Sequence, residues 1–237
     1  MARIVKEYDE RFTEFLDTAQ ALFFNEGYEQ TSVQDIINQM GVAKGTFYHY
    51  FDSKTDLLEA VVKRNREHVL ATVVMPVVRN SEWDALTKLE HFFGNLNDWK
   101  LQNHAMILDM MRMLYKDENI LLRLKMHEGT RQNMTAPLAE IIEQGVAEGT
   151  FAVRYPHETA ELVLRMCEMP SRAFIAALLD GQYDENCLEM IKREMYVFNR
   201  SIERVLGMRE NTVSLIWDED LTDWLAVLQQ VALEKTG

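Results

Sequence analysis

The 237-residue sequence is sparing with every residue that breaks or staples a chain: two cysteines, four prolines and ten glycines. Cys167 and Cys187 lie apart with no motif spacing, which excludes a disulfide framework and predicts buried or idle thiols in a reducing compartment. So few prolines and glycines leave long uninterrupted stretches, and no sustained apolar–polar alternation argues for a sheet. Internal repeats and low-complexity linkers are missing too. No apolar run approaches the roughly 18 residues that a membrane span needs. The stretch from Met1 to Glu10 carries charges of both signs without an apolar run, which predicts no signal peptide and a cytoplasmic protein. Six histidines are scattered, none four residues from another, so no metal site is expected. A glycine-rich phosphate loop, a G-x-S-x-G elbow and any local nucleophile–base signature are absent. The expectation is a protein without cofactor that is not an enzyme.

Positive charge is also in deficit. The formal net charge is −13, which at first sight argues against a nucleic-acid partner. Acid, however, is missing in one place. From Ile36 to Phe51 there is no Asp or Glu, while Lys44 and His49 lie inside that window and Lys54 just beyond it. In so acidic a chain, such a window predicts a surface that must not repel phosphate.

What is present is helical periodicity, with 47% hydrophobic residues supplying a core. Phe12, Phe15, Leu16, Ala19, Leu22 and Phe23 form one face of a first helix, Tyr8 to Glu26, stopped by Gly27. Ser32 with Asp35 is a capping-box pattern opening a short helix through Val33, Ile36, Ile37 and Met40. After a tight Gly41-Val42-Ala43 turn, a third helix begins near Lys44 and reaches about Tyr50. Ser53 and Asp56 open a fourth, which ends near Pro76. Further helices are predicted over Trp83–Lys100, Gln102–Tyr115, Glu118–Val146, His157–Leu179, Asn186–Leu206 and Asp220–Leu233.

Two short helices joined by a glycine turn are helix-turn-helix geometry. The second of the pair needs small residues at its start, an apolar anchor and outward polar groups if it is to enter a major groove. Lys44-Gly45-Thr46-Phe47-Tyr48-His49-Tyr50-Phe51 has that distribution. Phe47 and Phe51 are expected to pack inward, leaving Lys44, Thr46, Tyr48 and His49 for the groove and Tyr50 and Lys54 near phosphates.

From Gly27 to Val62 the sequence closely resembles the DNA-binding domain of TetR-family regulators. Thr-Ser-Val-x-Asp-Ile, Gly-Val-x-Lys-Gly-Thr-Phe-Tyr-x-Tyr-Phe and Ser-Lys-x-Asp-Leu-Leu fall in register, led by Ala21-Leu22-Phe23 and Gly27-Tyr28. The resemblance implies an all-α fold. Residues 1–52 would form a three-helix DNA-binding domain, and 53–237 a larger effector-binding and dimerisation domain. Within the latter, 53–76 would be a connecting helix and 211–237 an extension beyond the usual family ending. It also implies roles. Thr31 and Ser32 would touch phosphate through hydroxyl and backbone N–H. Lys44, Gly45 and Thr46 would read bases at close approach. Tyr48 and His49 would contact base edges or backbone, and Tyr50 and Lys54 would clamp phosphates.

A homodimer on a palindromic operator follows from the same likeness, because one helix-turn-helix reads only a few base pairs. Apolar candidates for its interface are Leu162, Met166, Phe174, Leu178, Met195, Phe198 and Ile202; the competing account is that several of these belong to the protomer's own core. The family further implies a repressor released when a small apolar or amphipathic effector binds. The ligand would misspace two recognition helices that must sit about 34–36 Å apart. A methionine-rich interior suggests a lining of Trp99, Met110, Met113, Tyr115, Met126, Met166, Met169 and Phe174, for which simple core is the competing account; Glu168 and His127 are candidate polar anchors, with a surface or structural place the simpler expectation for each. An alternative is a regulator whose C-terminal half answers to a protein partner. Trp217, Trp224 and the acidic Asp218-Glu219-Asp220 would then form a docking helix, although packing back on its own domain is the simpler expectation.

Overall fold

The computed structural model describes residues 2–168, 174–175, 178–179, 185–213, 215, 222–224, 226–227 and 229–230. Among these the regular structure is helical throughout and no strand occurs. The order is α1 (Ala2–Asn25), α2 (Val33–Met40), α3 (Lys44–Tyr50), α4 (Lys54–Val69), α5 (Met75–Val78), α6 (Ala85–Gln102), α7 (His104–Leu114), α8 (Ile120–Glu148), α9 (Pro156–Cys167) and α10 (Glu185–Val205). The all-α architecture expected from the sequence is what is found.

The fourth helix does not run unbroken to Pro76. It ends at Val69, passes through a π-helical turn over Leu70–Val74, and resumes as α5. The cause is Pro76, which has no N–H to donate and whose ring collides with a carbonyl one turn back. Widening the turn relieves the collision, and Met75 N–H donates to Leu70 O, five residues earlier.

The chain divides into two compact units. The first comprises residues 1–67 and 105–126, the second 68–104 and 127–237. The sequence-based boundary at residue 52 therefore differs from the observed division. The physical reason is burial: Met113, Leu114, Leu122 and Met126 join Leu22, Phe23, Leu57, Leu58 and Val61 in one apolar cluster. A three-helix domain of about 50 residues buries too little apolar surface by itself, and α7 with the start of α8 enlarges its core.

The residues of the expected effector lining are divided between the two units. Met113 and Met126 are buried in the core of the first unit, and Met110 and Tyr115 pack against it. Trp99 and Met166 instead pack on the core of the second unit. Met169 lies outside the described residues.

The core of the second unit is built from Leu89 and Phe92 on α6, Leu138, Ile141 and Ile142 on α8, Ala160 and Val163 on α9, and Ile202 and Leu206 on α10. Val213 and Leu215, the start of the extension, are buried in it. Glu203, itself 1% exposed, holds that return in place. Its carboxylate accepts the backbone N–H of Asn211, Thr212 and Val213 at 3.2, 2.8 and 3.1 Å, and Arg200 Nη1 lies 2.6 Å away. The buried Lys88 donates to Val78 O and Gln144 Oε1, which satisfies its charge without a carboxylate.

Two dimer candidates prove to belong to the protomer's own interior: Ile202 is fully buried and Leu178 is 3% exposed. Phe198 packs on the core, Met195 is half-buried, and Phe174 meets Trp224 edge to face. Leu162 is exposed, and so are Met190, Tyr196 and Val197, which the sequence reading did not single out.

Candidate DNA interface

The interface is assembled in the first unit, beginning with α2. Ser32 is its N-cap and forms a reciprocal capping box with Asp35. Ser32 N–H donates to Asp35 Oδ2 at 2.8 Å, and Asp35 N–H donates to Ser32 Oγ at 3.2 Å. The Ser32 hydroxyl hydrogen bond holds the Asp35 carboxyl below the usual carboxylate range. At the other end Gly41 adopts φ 66°, where a side chain would be strained. Its N–H and that of Val42 return to Asn38 and Ile37 carbonyls, closing the helix and turning the chain into α3.

Recognition helix α3 is anchored by Phe47, fully buried, which meets Phe15 of α1 edge to face at 5.8 Å. Phe51 follows it, stacked on Phe12 at 5.2 Å. With those two inward, Lys44, Gly45, Tyr48 and His49 share one exposed face, and Thr46 is half-buried at its edge. Lys44 Nζ lies 5.9 Å from the Tyr48 ring centroid. A Cβ built on Gly45 would meet nothing within 4 Å, so no packing inside the protein calls for glycine there. A glycine in a helix is less stable than alanine; its use on an exposed face fits a surface that another molecule approaches closely.

Two expected phosphate contacts are corrected. Thr31 is fully buried; both its hydroxyl, at 2.9 Å, and its N–H, at 3.2 Å, donate to Gly27 O. Ser32 spends its N–H and its hydroxyl on Asp35. Both residues build the start of α2, and neither has a free donor for phosphate. Lys54 is likewise engaged. Its Nζ donates to Tyr28 O and Thr31 O, both at 2.8 Å, and lies 4.1 Å from the Tyr28 ring centroid. Desolvation lowers its pKa. An ammonium carries three hydrogens, so Lys54 fixes the turn before α2 with two and keeps one.

Tyr50 is also held from behind. Its ring lies 4.5 Å from Tyr8 and 5.4 Å from Phe15. Tyr8 also meets His49 at 6.0 Å. Tyr8 is a positioning residue that the sequence reading did not single out, although its spacing of four from Phe12 continues the apolar face of α1. The turn before α2 has a second support, the ion pair of Lys116 with Glu29, while Arg64 ties α4 to Asp17 and Gln20 of α1.

Comparison with known proteins agrees with this geometry. The family model for bacterial regulatory proteins of the tetR family matches residues 15–61, and that for a tetracyclin repressor-like C-terminal domain matches residues 111–171. The HTH-type transcriptional repressor KstR2 of Mycobacterium tuberculosis is 25% identical over 169 residues, 70% of this chain and 80% of the relative. A TetR-family transcriptional regulator from Pectobacterium atrosepticum superposes with TM-score 0.59 at 18% identity, covering 85% of this chain and 96% of that one. Thermus thermophilus FadR, a TetR-family repressor solved with lauroyl-CoA, superposes with TM-score 0.58 at 18% identity, covering 85% of this chain and 98% of that one. The helix-turn-helix built on Phe47 and Phe51, the helical second unit and both family matches lead to one conclusion: residues 15–61 form a DNA-binding domain of the tetR-family type, and residues 111–171 match a tetracyclin repressor-like C-terminal domain.

Proposed function

We propose that the protein is a cytoplasmic homodimeric repressor that reads a palindromic operator and leaves it when a small amphipathic ligand occupies the second unit. The carrying observation is the acid-free face of α3, where Lys44, Gly45, Tyr48 and His49 stand exposed above a fully buried Phe47. Lys44 has the reach and the donors for guanine O6 or N7, Thr46 a methyl for thymine, and Tyr48 and His49 polar tips for base edges or phosphate. Tyr50 and Lys54 add a hydroxyl and one spare ammonium hydrogen at the rim.

The dimer is supported by exposed apolar residues on α9 and α10. Met190 and Val197 are seven residues apart, hence on one stripe of α10, and are 51% and 60% exposed; Leu162 of α9 is 48% exposed. Such residues on helices in a compact unit are the usual material of a self-complementary interface. A ligand response is favoured over a protein partner because the extension returns to its own unit through Val213 and Leu215. The lauroyl-CoA seen in the Thermus thermophilus relative makes an acyl-type amphiphile a sensible first ligand class to try.

The experiment is in vitro selection of a duplex by the purified protein, followed by titration of the selected duplex. A palindromic consensus is expected. Lys44→Ala is expected to cost about 1–3 kcal/mol and to relax preference at one position per half-site. Binding by Lys44→Ala equal to wild type, or a consensus without symmetry, would defeat this assignment.

A further inference from the structure

The start of α8 carries apolar residues on both of its faces. Leu122 and Met126 are buried in the core of the first unit. Ile120, Leu121 and Leu124 stand outside it, 49%, 73% and 57% exposed. Leu124 is three residues from Leu121 and four from Ile120, so the three side chains adjoin within about one turn. Single apolar side chains on a surface need no explanation, whereas large ones side by side mark a surface that something covers. Burial within the protomer does not account for them.

The charges around this patch are complementary to their own reverse. Asp117, exposed in the 3-10 turn that leads into α8, lies four residues before Leu121. Lys125, 68% exposed, lies four residues after it. Acid and base therefore mark opposite ends of one stripe centred on Leu121. Lys125 pairs with Glu59 at 3.1 Å, an exposed contact of a kind that contributes little. The other cation nearby, Arg123, is engaged inward: it donates to Leu114 O at 3.3 Å and lies over the Tyr115 ring. A rim of one sign would call for a partner of the other sign. Acid at one end and base at the other call for the reverse order, which a second copy supplies. With two helix starts antiparallel about a two-fold axis, Leu121 meets its own copy and each Asp117 faces a Lys125.

We propose that the start of α8 is a contact between copies of this chain, separate from the α9 and α10 stripe, and that it joins copies bound at neighbouring DNA sites. Three side chains cover far less than the roughly 1,200 Å² of a stable interface, so the contact is weak in free solution. It gains weight where DNA holds two copies together, at effective concentrations on the order of millimolar. The patch belongs to the same compact unit as α3, the part of the molecule that an operator fixes in place. The role on DNA rests on the operator reading above; the contact itself does not.

The test is a symmetric cross-link in the full chain. Leu121→Cys is combined with Cys167→Ser and Cys187→Ser and oxidised with copper phenanthroline. Val146→Cys, an exposed apolar position near the other end of α8, is the control for random encounters. Covalent pairs are expected about tenfold faster at Leu121→Cys, because an encounter that pauses in register is trapped more often than a random one. Asp117→Lys or Lys125→Asp alone sets like charges opposite each other and is expected to remove that advantage; the two together are expected to restore it. The comparison is repeated with Val197→Glu, so that the α10 contact and this one are read separately. Equal rates at the two cysteine positions overturn the contact, as does a charge swap without rescue. On duplexes carrying two selected sites at graded spacing, the wild type is expected to fill the second site about tenfold more tightly at one spacing. Leu121→Glu is expected to lose that gain and keep single-site affinity. Equal filling at every spacing overturns the role on DNA, whereas failure to bind even one site is a failure of the operator reading.

Discussion

At the scale of single residues, stability and function pull apart most clearly at Gly45. It lies in the first turn of α3, exposed, with nothing of the protein near its missing Cβ. Alanine there is expected to stabilise the fold by about 0.5–1 kcal/mol in urea unfolding, the helix advantage of alanine over glycine. The same Gly45→Ala change is expected to weaken operator binding about tenfold, because the added methyl stands where backbone and base edges meet. Gain in both measurements would remove the reason offered for the glycine. Thr31 and Lys54 show why residue roles are harder to read than residue types. A hydroxyl and an ammonium serve a phosphate oxygen or a backbone carbonyl equally well. The choice depends on partners such as Tyr28 O, 26 residues from Lys54, which no local pattern exposes.

At the scale of elements, local chemistry was legible and non-local packing was not. The start of α2 was readable from Ser32 and Asp35 because a capping box is a contact between residues three apart. The bounds of α3 followed from Gly41 and the Phe47–Phe51 spacing. The π turn after Val69 was hidden, since Pro76 announces a break without saying how the chain absorbs it. The capping box makes α2 sensitive to acid. Asp35 titrates lower in the folded chain than in the unfolded one, so its contribution is present above the ordinary aspartate range and is lost as pH falls through the lowered folded value. Asp35→Ala is therefore expected to lower Tm at pH 7, with the gap to wild type closing on acidification toward pH 2; a constant gap would show that the carboxylate charge is not responsible. In α8, Gly145 lies under Phe151, whose ring carbons come within 2.1 Å of where a Cβ would stand. Phe151 is 3% exposed and has little room to retreat. Gly145→Ala is expected to destabilise by roughly 1–3 kcal/mol despite the better helix propensity of alanine, as read by urea unfolding. A neutral or stabilising result would mean that the ring repacks freely.

At the scale of the whole molecule, the chain passes between its two units at three places: in α4, at the start of α7, and within α8. The sequence suggested one boundary because the helix-turn-helix motif is contiguous. The contribution of residues 105–126 to the first unit comes from apolar burial, and a helical face has the same pattern whichever core receives it. Two of the interface candidates were misplaced for the same reason. Ile202 and Leu178 have the composition of an interface, yet they fill the protomer, while Met190 and Val197 remain outside. That division gives a sharp test of assembly. Val197→Glu puts a charge on a residue already 60% exposed, so the protomer has no reason to unfold and its Tm is expected to stay within a few degrees of wild type. If α10 forms the two-fold contact, the glutamate meets its own copy or an apolar neighbour across the axis, and either arrangement is unfavourable. Sedimentation velocity is then expected to show a shift toward monomer. Affinity for a palindromic duplex should fall steeply, while affinity for a single half-site changes little, because α3 is untouched. A Val197→Glu protein that stays dimeric and holds the full palindrome would exclude this stripe of α10 from the interface.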